Sequence, residues 1–147
     1  MNAILSAKNV SKNFLKNGAS FCVLKKIDLD LQSGEIVCLL GPSGSGKTTL
    51  LQILSGMEKP DGGEIHSKIK CPGPQLGYMT QADRLLPWRT IRDNVALGLE
   101  LTGQCDSTKV DELLIQVDLR EFASHYPSQI SGGMSQRALL ARTLATN

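Results

Sequence analysis

The hydrophobic and polar positions divide the chain into a strand-rich first half and a helical second half. Ala3 to Val10 and Phe21 to Leu24 read as short strands around an exposed turn at Lys16-Asn17-Gly18. Ile27-Asp28-Leu29-Asp30-Leu31 alternates apolar and polar, which predicts a strand buried on one face. Ile36-Val37-Cys38-Leu39-Leu40 is apolar throughout, which predicts a strand buried on both faces. Leu50, Leu51 and Leu54 follow at helical spacing, with Gly56 to stop the helix. Pro60-Asp61-Gly62-Gly63 is a turn before a short strand at Glu64-Ile65, and Leu76 to Thr80 reads as a further strand ending at Gln81. From Arg84 to Tyr126 the period becomes helical. Thr90 and Asp93 stand three apart, as in a capping box, and open a helix to about Leu101. Thr108 and Asp111 repeat that spacing, and Val110, Leu113, Leu114 and Val117 form one apolar face. Ser131-Gly132-Gly133 opens a last helix with Ala138, Ala141 and Ala145 on one side. No internal repeat or low-complexity tract interrupts the order.

Composition narrows the classes. A chain of 147 residues suits one domain. A net charge of +2 makes no electrostatic case for nucleic acid, and aromatic residues are too few for base-stacking surfaces of that kind. Cys22, Cys38, Cys71 and Cys105 lie far apart, with no metal-like pairing, and read as reduced thiols. No apolar run approaches a membrane span, and the N-terminus lacks a signal-peptide core. Work at a membrane therefore requires a partner that holds the chain there.

The sharpest chemical signal is Gly41-Pro42-Ser43-Gly44-Ser45-Gly46-Lys47-Thr48, which has the form G-x-x-x-x-G-K-[ST]. Its glycines let the backbone curl until several N–H groups point at one anion. The helix that follows adds unpaired N–H groups and the positive end of its dipole. Lys47 supplies a mobile charge for the β- and γ-phosphates. Thr48 offers a hydroxyl to Mg²⁺, and Thr49 stands next to it for a phosphate oxygen. The flanks, an apolar run before and a helix after, are those the motif needs.

A second motif separates families of phosphate-loop protein. Ile130-Ser131-Gly132-Gly133-Met134-Ser135-Gln136-Arg137, after a phosphate loop, a Gln-bearing strand end and a helical insert, resembles the signature of ABC-type ATPases, commonly Leu-Ser-Gly-Gly-Gln. Phe14 matches the aromatic that stacks on adenine, and Gln81 matches the Q-loop glutamine, a Mg²⁺ and catalytic position alongside Lys47. Arg137 and the Ala141-Arg142 pair match the helix after the signature. Leu85 to Leu99, with Pro87-Trp88-Arg89 near its start, looks like the ATP-binding subunits of nitrate, sulfonate and taurine importers. Met134 and Ile130 depart from the common signature without removing Ser131 or the glycine pair. Trp88 reads as a contact of the helical subdomain or of a partner. His66 and His125 read as ordinary histidines, since neither follows the signature as the family's catalytic histidine does.

The resemblance implies a P-loop NTPase-type α/β fold: an antiparallel β part, an incomplete parallel core sheet and a helical subdomain. The implied divisions are 1–83 for the β-rich and phosphate-loop core, 84–130 for the helical subdomain and 131–147 for the signature helix. It implies ATP and Mg²⁺ as ligands, held at Phe14, Gly41–Thr49 and Gln81 of one domain and Ser131–Gly133 of a second copy. It also implies a membrane-embedded permease, a solute-binding protein acting through that permease, and a place on the cytoplasmic face of the cell membrane. The family's acid-bearing strand, with its general base, and its catalytic histidine find no match in the 147 residues. The chain therefore looks like the N-terminal part of such a domain, and binding of ATP without efficient hydrolysis is the expectation for it. Two rivals are a non-catalytic nucleotide-binding module and a soluble ABC-type ATPase outside transport.

Overall fold

The structure is a computed structural model, and it describes residues 3–16, 18–69, 76–80, 84–101, 103 and 106–146. Gln81, and Asn17 of the predicted turn, lie outside the described residues. The chain divides into two compact units, Met1–Gly73 and Pro74–Asn147.

In the first unit, β1 (Leu5–Lys16) and β2 (Ala19–Leu31) form an antiparallel hairpin, and β3 (Gly62–Ser67) pairs with the other side of β1. The sheet order is β2-β1-β3. The two strand segments predicted at 21–24 and 27–31 merge into one long strand. Register shifts absorb the break between them, and Asn9 (φ 51°) and Lys26 (φ 49°) adopt left-handed backbone near these shifts. The predicted alternation holds, with Ile27, Leu29 and Leu31 turned toward the core and Asp28 and Asp30 exposed. Helix α1 (Lys47–Leu54) covers one face of the sheet. Its Leu50, Ile53 and Leu54 pack with Leu5, Ala7, Val10 and Leu24. Each large apolar side chain so buried contributes about 1.5–3 kcal/mol.

Two strand expectations are corrected. Residues 36–40 and 76–80 carry no strand, and Ile36 and Leu40 are 91% and 93% exposed. A strand exists only as one side of a ladder. Among the described residues neither segment joins the sheet, and apolar composition alone leaves 36–40 mostly exposed, whereas Leu76, Gly77, Tyr78 and Thr80 are half-buried, with Gly77 close to Thr143.

The second unit is helical. Helices α2 (Ile91–Leu101), α3 (Ser107–Gln116) and α4 (Gly132–Leu144) surround a core that includes Ile91, Val95, Leu99, Leu114 and Leu139. Short 3₁₀ turns occupy Arg120–Phe122 and Pro127–Gln129. The predicted apolar face of α3 is buried at all four positions, and so are Ala138, Ala141 and Ala145 of α4. The small residues of α4 serve close packing. A Cβ on Gly98 of α2 would stand 2.4 Å from the Arg142 carbonyl oxygen and 2.9 Å from the Ala145 Cβ.

One cap falls as predicted and the other does not. Thr90 Oγ1 accepts from the Asp93 N–H at 3.1 Å and donates to the Asp93 carboxylate at 2.6 Å. At α3 the N-cap is Asp106, whose carboxylate accepts from the N–H groups of Thr108 and Lys109. Thr108 lies inside the first turn, and Asp111 is drawn instead into a bidentate pair with Arg92 of α2. An aspartate just before the helix outcompetes a threonine within it, because a capping oxygen must precede the N–H groups it receives.

Candidate nucleotide site

The loop 41–46 runs in solvent between the exposed apolar segment and α1, which begins at Lys47. Gly44 (φ 83°) and Gly46 (φ 87°) take left-handed backbone, a conformation that costs an L-residue with a Cβ about 1–2 kcal/mol. Gly46 is also the N-cap of α1 and has a second constraint. A Cβ there would lie 2.9 Å from Leu24 Cδ2, 3.0 Å from Val23 Cγ1 and 3.0 Å from the Val23 carbonyl oxygen. At Gly41 a Cβ would lie 2.8 Å from Ser45 Oγ. The loop is thus tight against β2 on one side and against itself on the other. Its curl leaves the first N–H groups of α1 without intrahelical acceptors, which makes a cradle for an anion.

Lys47 Nζ donates to the carbonyl oxygens of Gly41 (2.8 Å) and Pro42 (2.7 Å) and to Ser45 Oγ (3.3 Å). The ammonium therefore sits at the mouth of its own loop, across from the helix start. Thr48 and Thr49 follow in the first turn of α1, Thr48 exposed and Thr49 half-buried. A cation together with backbone N–H groups and a hydroxyl within one turn suits a polyphosphate with its Mg²⁺.

Phe14 lies near the end of β1 and is 41% exposed. Lys12 Nζ stands 5.4 Å from its ring centroid. That lysine is nearly buried and heavily tied: to Glu58 at 2.6 Å, to Asp61 at 3.2 Å and to the Lys59 carbonyl oxygen at 2.7 Å. The Glu58 carboxylate, more than anything else, pushes the Lys12 pKa up. Asp61 is held below the usual carboxylate range, first by the Asn13 N–H and then by Lys12. Sequence reasoning missed Lys12, because nothing in the pattern marks a lysine as the tie between β1 and the turn before β3.

In the second unit, Ser131 is the N-cap of α4, its hydroxyl accepting from the Met134 N–H at 3.3 Å. Gly132 and Gly133 are exposed, and a Cβ on either would meet nothing within 4 Å. Nothing inside the described chain requires glycine there. Arg137 of α4 donates to the Val117 carbonyl oxygen at the end of α3 (2.7 Å), fixing the direction of α4. Trp88 is 71% exposed. It rides on a loop pinned from beneath by Asn94, which is fully buried. Asn94 Oδ1 accepts from the Leu86 N–H (2.7 Å), and Nδ2 donates to the carbonyl oxygens of Leu86, Arg89 and Thr90. His66 is exposed beside Glu64. The Nδ1 of His125 is buried without a partner, and its ring packs against Phe122. Cys22 and Cys38 are exposed free thiols.

Comparison with known proteins gives the family. Residues 24–147 match the ABC transporter family. A probable sulfate/thiosulfate import ATP-binding protein of Chlorella vulgaris is 43% identical over 94% of this chain and 61% of its own length. An aliphatic sulfonates import ATP-binding protein of Bacillus subtilis is 40% identical over 90% of this chain and 53% of its own. Among solved structures, the dimeric post-hydrolysis state of the ATP-binding cassette MJ0796, bound to ADP and Pi, superposes with a TM-score of 0.83. It shares 33% identity and spans 97% of this chain and 70% of the cassette. The chain belongs to the ABC transporter family and has the α/β fold of its ATP-binding domain. It spans about half to three fifths of the length of the curated relatives.

Proposed function

We propose that the chain binds Mg-ATP as the ATP-binding part of an importer for a small oxyanion or sulfonate. The observation that carries the binding reading is the loop at 41–46. Two left-handed glycines, one of them wedged against Val23 and Leu24, turn the start of α1 outward beside Lys47. Lys47 exchanges its loop carbonyls for the β- and γ-phosphates, and the N–H groups of Gly44 to Thr48 receive the phosphate oxygens. Thr48, with Gln81, holds Mg²⁺, which neutralises charge between the β- and γ-phosphates. Phe14 receives the base.

The signature serves a second domain. Gly132 and Gly133 lie open at a helix N-terminus, as residues do when a ligand must approach the backbone from outside. Ser131–Gly133 of one copy then meets the nucleotide held by the phosphate loop of another. The dimeric state of the MJ0796 cassette supports that pairing. ATP binding closes the pair, hydrolysis opens it, and a permease in the membrane turns the motion into uptake. The chain then works on the cytoplasmic face, and among its described residues no helix is long and apolar enough to cross a membrane. The names of the relatives and the run from Leu85 to Leu99 support a sulfate- or sulfonate-like solute. Gln81 assists the attacking water.

Calorimetry with Mg-ATP tests the reading. Lys47→Ala should weaken binding at least tenfold, because hydrogen bonds from a charged donor are the strong ones. Equal affinity in the wild type and the variant would remove the phosphate loop from the site.

A further inference from the structure

Phe21 lies directly opposite Phe14 in the β1–β2 ladder. Directly opposed residues of an antiparallel pair share a face, with Cβ atoms about 4.5–5.5 Å apart. Opposed aromatics in a sheet usually gain by burial, yet here Phe14 is 41% and Phe21 61% exposed. The face is the one that α1 covers further along. Lys12, whose ammonium reaches the Phe14 ring, opposes Leu24, and Leu24 packs against Leu50, Ile53 and Leu54.

The phosphate loop abuts the same stretch of β2. Gly46 is wedged against Val23 and Leu24, and the register shift beside Lys12 sets two residues of β2 against one of β1, so both reach the loop. From Val23 to Phe21 is two residues, about 7 Å along a strand. An aromatic pair therefore stands within one nucleotide's length of the anion cradle. The pair is not itself an anion site, because Glu58 and Asp61 already neutralise Lys12. What fits beside it is flat, apolar and uncharged.

We propose that Phe21 is the second half of a two-ring platform for the base of the bound nucleotide, with Phe14 as the first half. Phe21 then determines specificity by area. A two-ring purine covers both phenyl groups, whereas a one-ring pyrimidine covers one. The inference rests on the nucleotide reading above and adds to it a residue and a selectivity.

The test compares Mg-ATP, Mg-CTP and inorganic tripolyphosphate by calorimetry on the purified chain. In Phe21→Ala, ATP affinity should fall at least about fivefold, the low end of one lost base–aromatic stack. CTP should fall less, and tripolyphosphate should be unchanged. Phe21→Trp should keep the preference for ATP that Phe21→Ala loses. If Phe21→Ala leaves the ATP-to-CTP ratio unaltered while Lys47→Ala still weakens binding at least tenfold, the platform is wrong and the phosphate loop stands. Equal loss of tripolyphosphate in Phe21→Ala would assign Phe21 a purely structural role and overturn the platform. Failure of the wild type to bind ATP and tripolyphosphate would overturn both. Light scattering addresses the other occupant. Loss of self-association in Phe21→Ala with nucleotide affinity unchanged would give this face to a second copy of the chain and sink the inference.

Discussion

Gly46 is constrained by its own backbone and by its neighbours, and the two constraints have different costs. Alanine at φ 87° pays about 1–2 kcal/mol for the left-handed conformation. Its Cβ must also displace Leu24 and the Val23 backbone, and forced overpacking of this kind typically costs about 1–3 kcal/mol. Gly46→Ala should therefore lower the urea midpoint of the first unit and weaken Mg-ATP binding together. Gly132→Ala makes the contrast. Its Cβ would meet nothing within 4 Å, so the unfolding free energy from urea titration should stay within about 0.5 kcal/mol of wild type, as surface changes do. A large loss of stability in Gly132→Ala would show that the glycine has an internal packing role. At this scale the curl of the loop at Gly44 and Gly46 was legible in the sequence, because the motif names residue types whose backbone preference is local. Phe21 was not, since its relation to Phe14 depends on the hairpin register.

Among the elements, the loop 86–90 and the contact between α2 and α4 carry the most consequence. Asn94 has no exposed surface and joins four backbone groups of that loop. Asn94→Ala takes the side-chain acceptor from the Leu86 N–H, at about 1–3 kcal/mol for a buried unsatisfied group, while the Leu86 and Thr90 carbonyl oxygens keep the backbone N–H groups of Arg89 and Asn94. The loop should loosen, and the fluorescence of Trp88, the chain's single tryptophan, is the local reporter. Unchanged Trp88 anisotropy together with unchanged stability in Asn94→Ala would contradict this account. Gly98 explains how α2 and α4 approach so closely, and its replacement by alanine should destabilise the helical unit by overpacking. The sequence showed α2, α3 and α4 by apolar period and placed the cap at Thr90. It mistook Thr108 for a cap, because the spacing of Thr108 and Asp111 matches a capping box while Asp106 holds the better position.

Taken as a whole, the chain has two units whose acidic ties share one sign. Asp61 is held low by the Asn13 N–H and Lys12, Asp30 by the Ser6 hydroxyl and then Lys8, and Asp111 by Arg92. A carboxyl whose pKa is lower in the folded chain stabilises it fully above the unfolded pKa, about 3.9, and loses that contribution as pH falls through the folded value. Stability should therefore be flat near neutrality and fall below about pH 4. Asp61→Asn should reduce the acid-dependent part of the urea midpoint for the first unit. An unchanged pH profile in that variant would show that the Asn13–Asp61 contact is energetically idle. At the scale of an assembly, Ser131→Arg should leave the first ATP-binding event nearly intact and abolish ATP-induced pairing, as read by light scattering. Loss of monomer binding in Ser131→Arg would place the signature in the wrong copy.

Sequence alone determined what is local in this protein: the glycine-rich loop before α1, the helix spacings, the Ser131 cap of α4 and the alternation of β2. These are readable because each follows from a few consecutive residues and their backbone preferences. Tertiary structure decided whatever needs a partner distant in the chain. It merged two predicted strands into β2, wedged Gly46 against Val23 and Leu24, and set Phe21 across from Phe14. It also left residues 36–40 out of any sheet, although their composition is that of a buried strand. The reason is the same in each case. Backbone pairing and burial are properties of two surfaces, and a run of residues specifies only one of them.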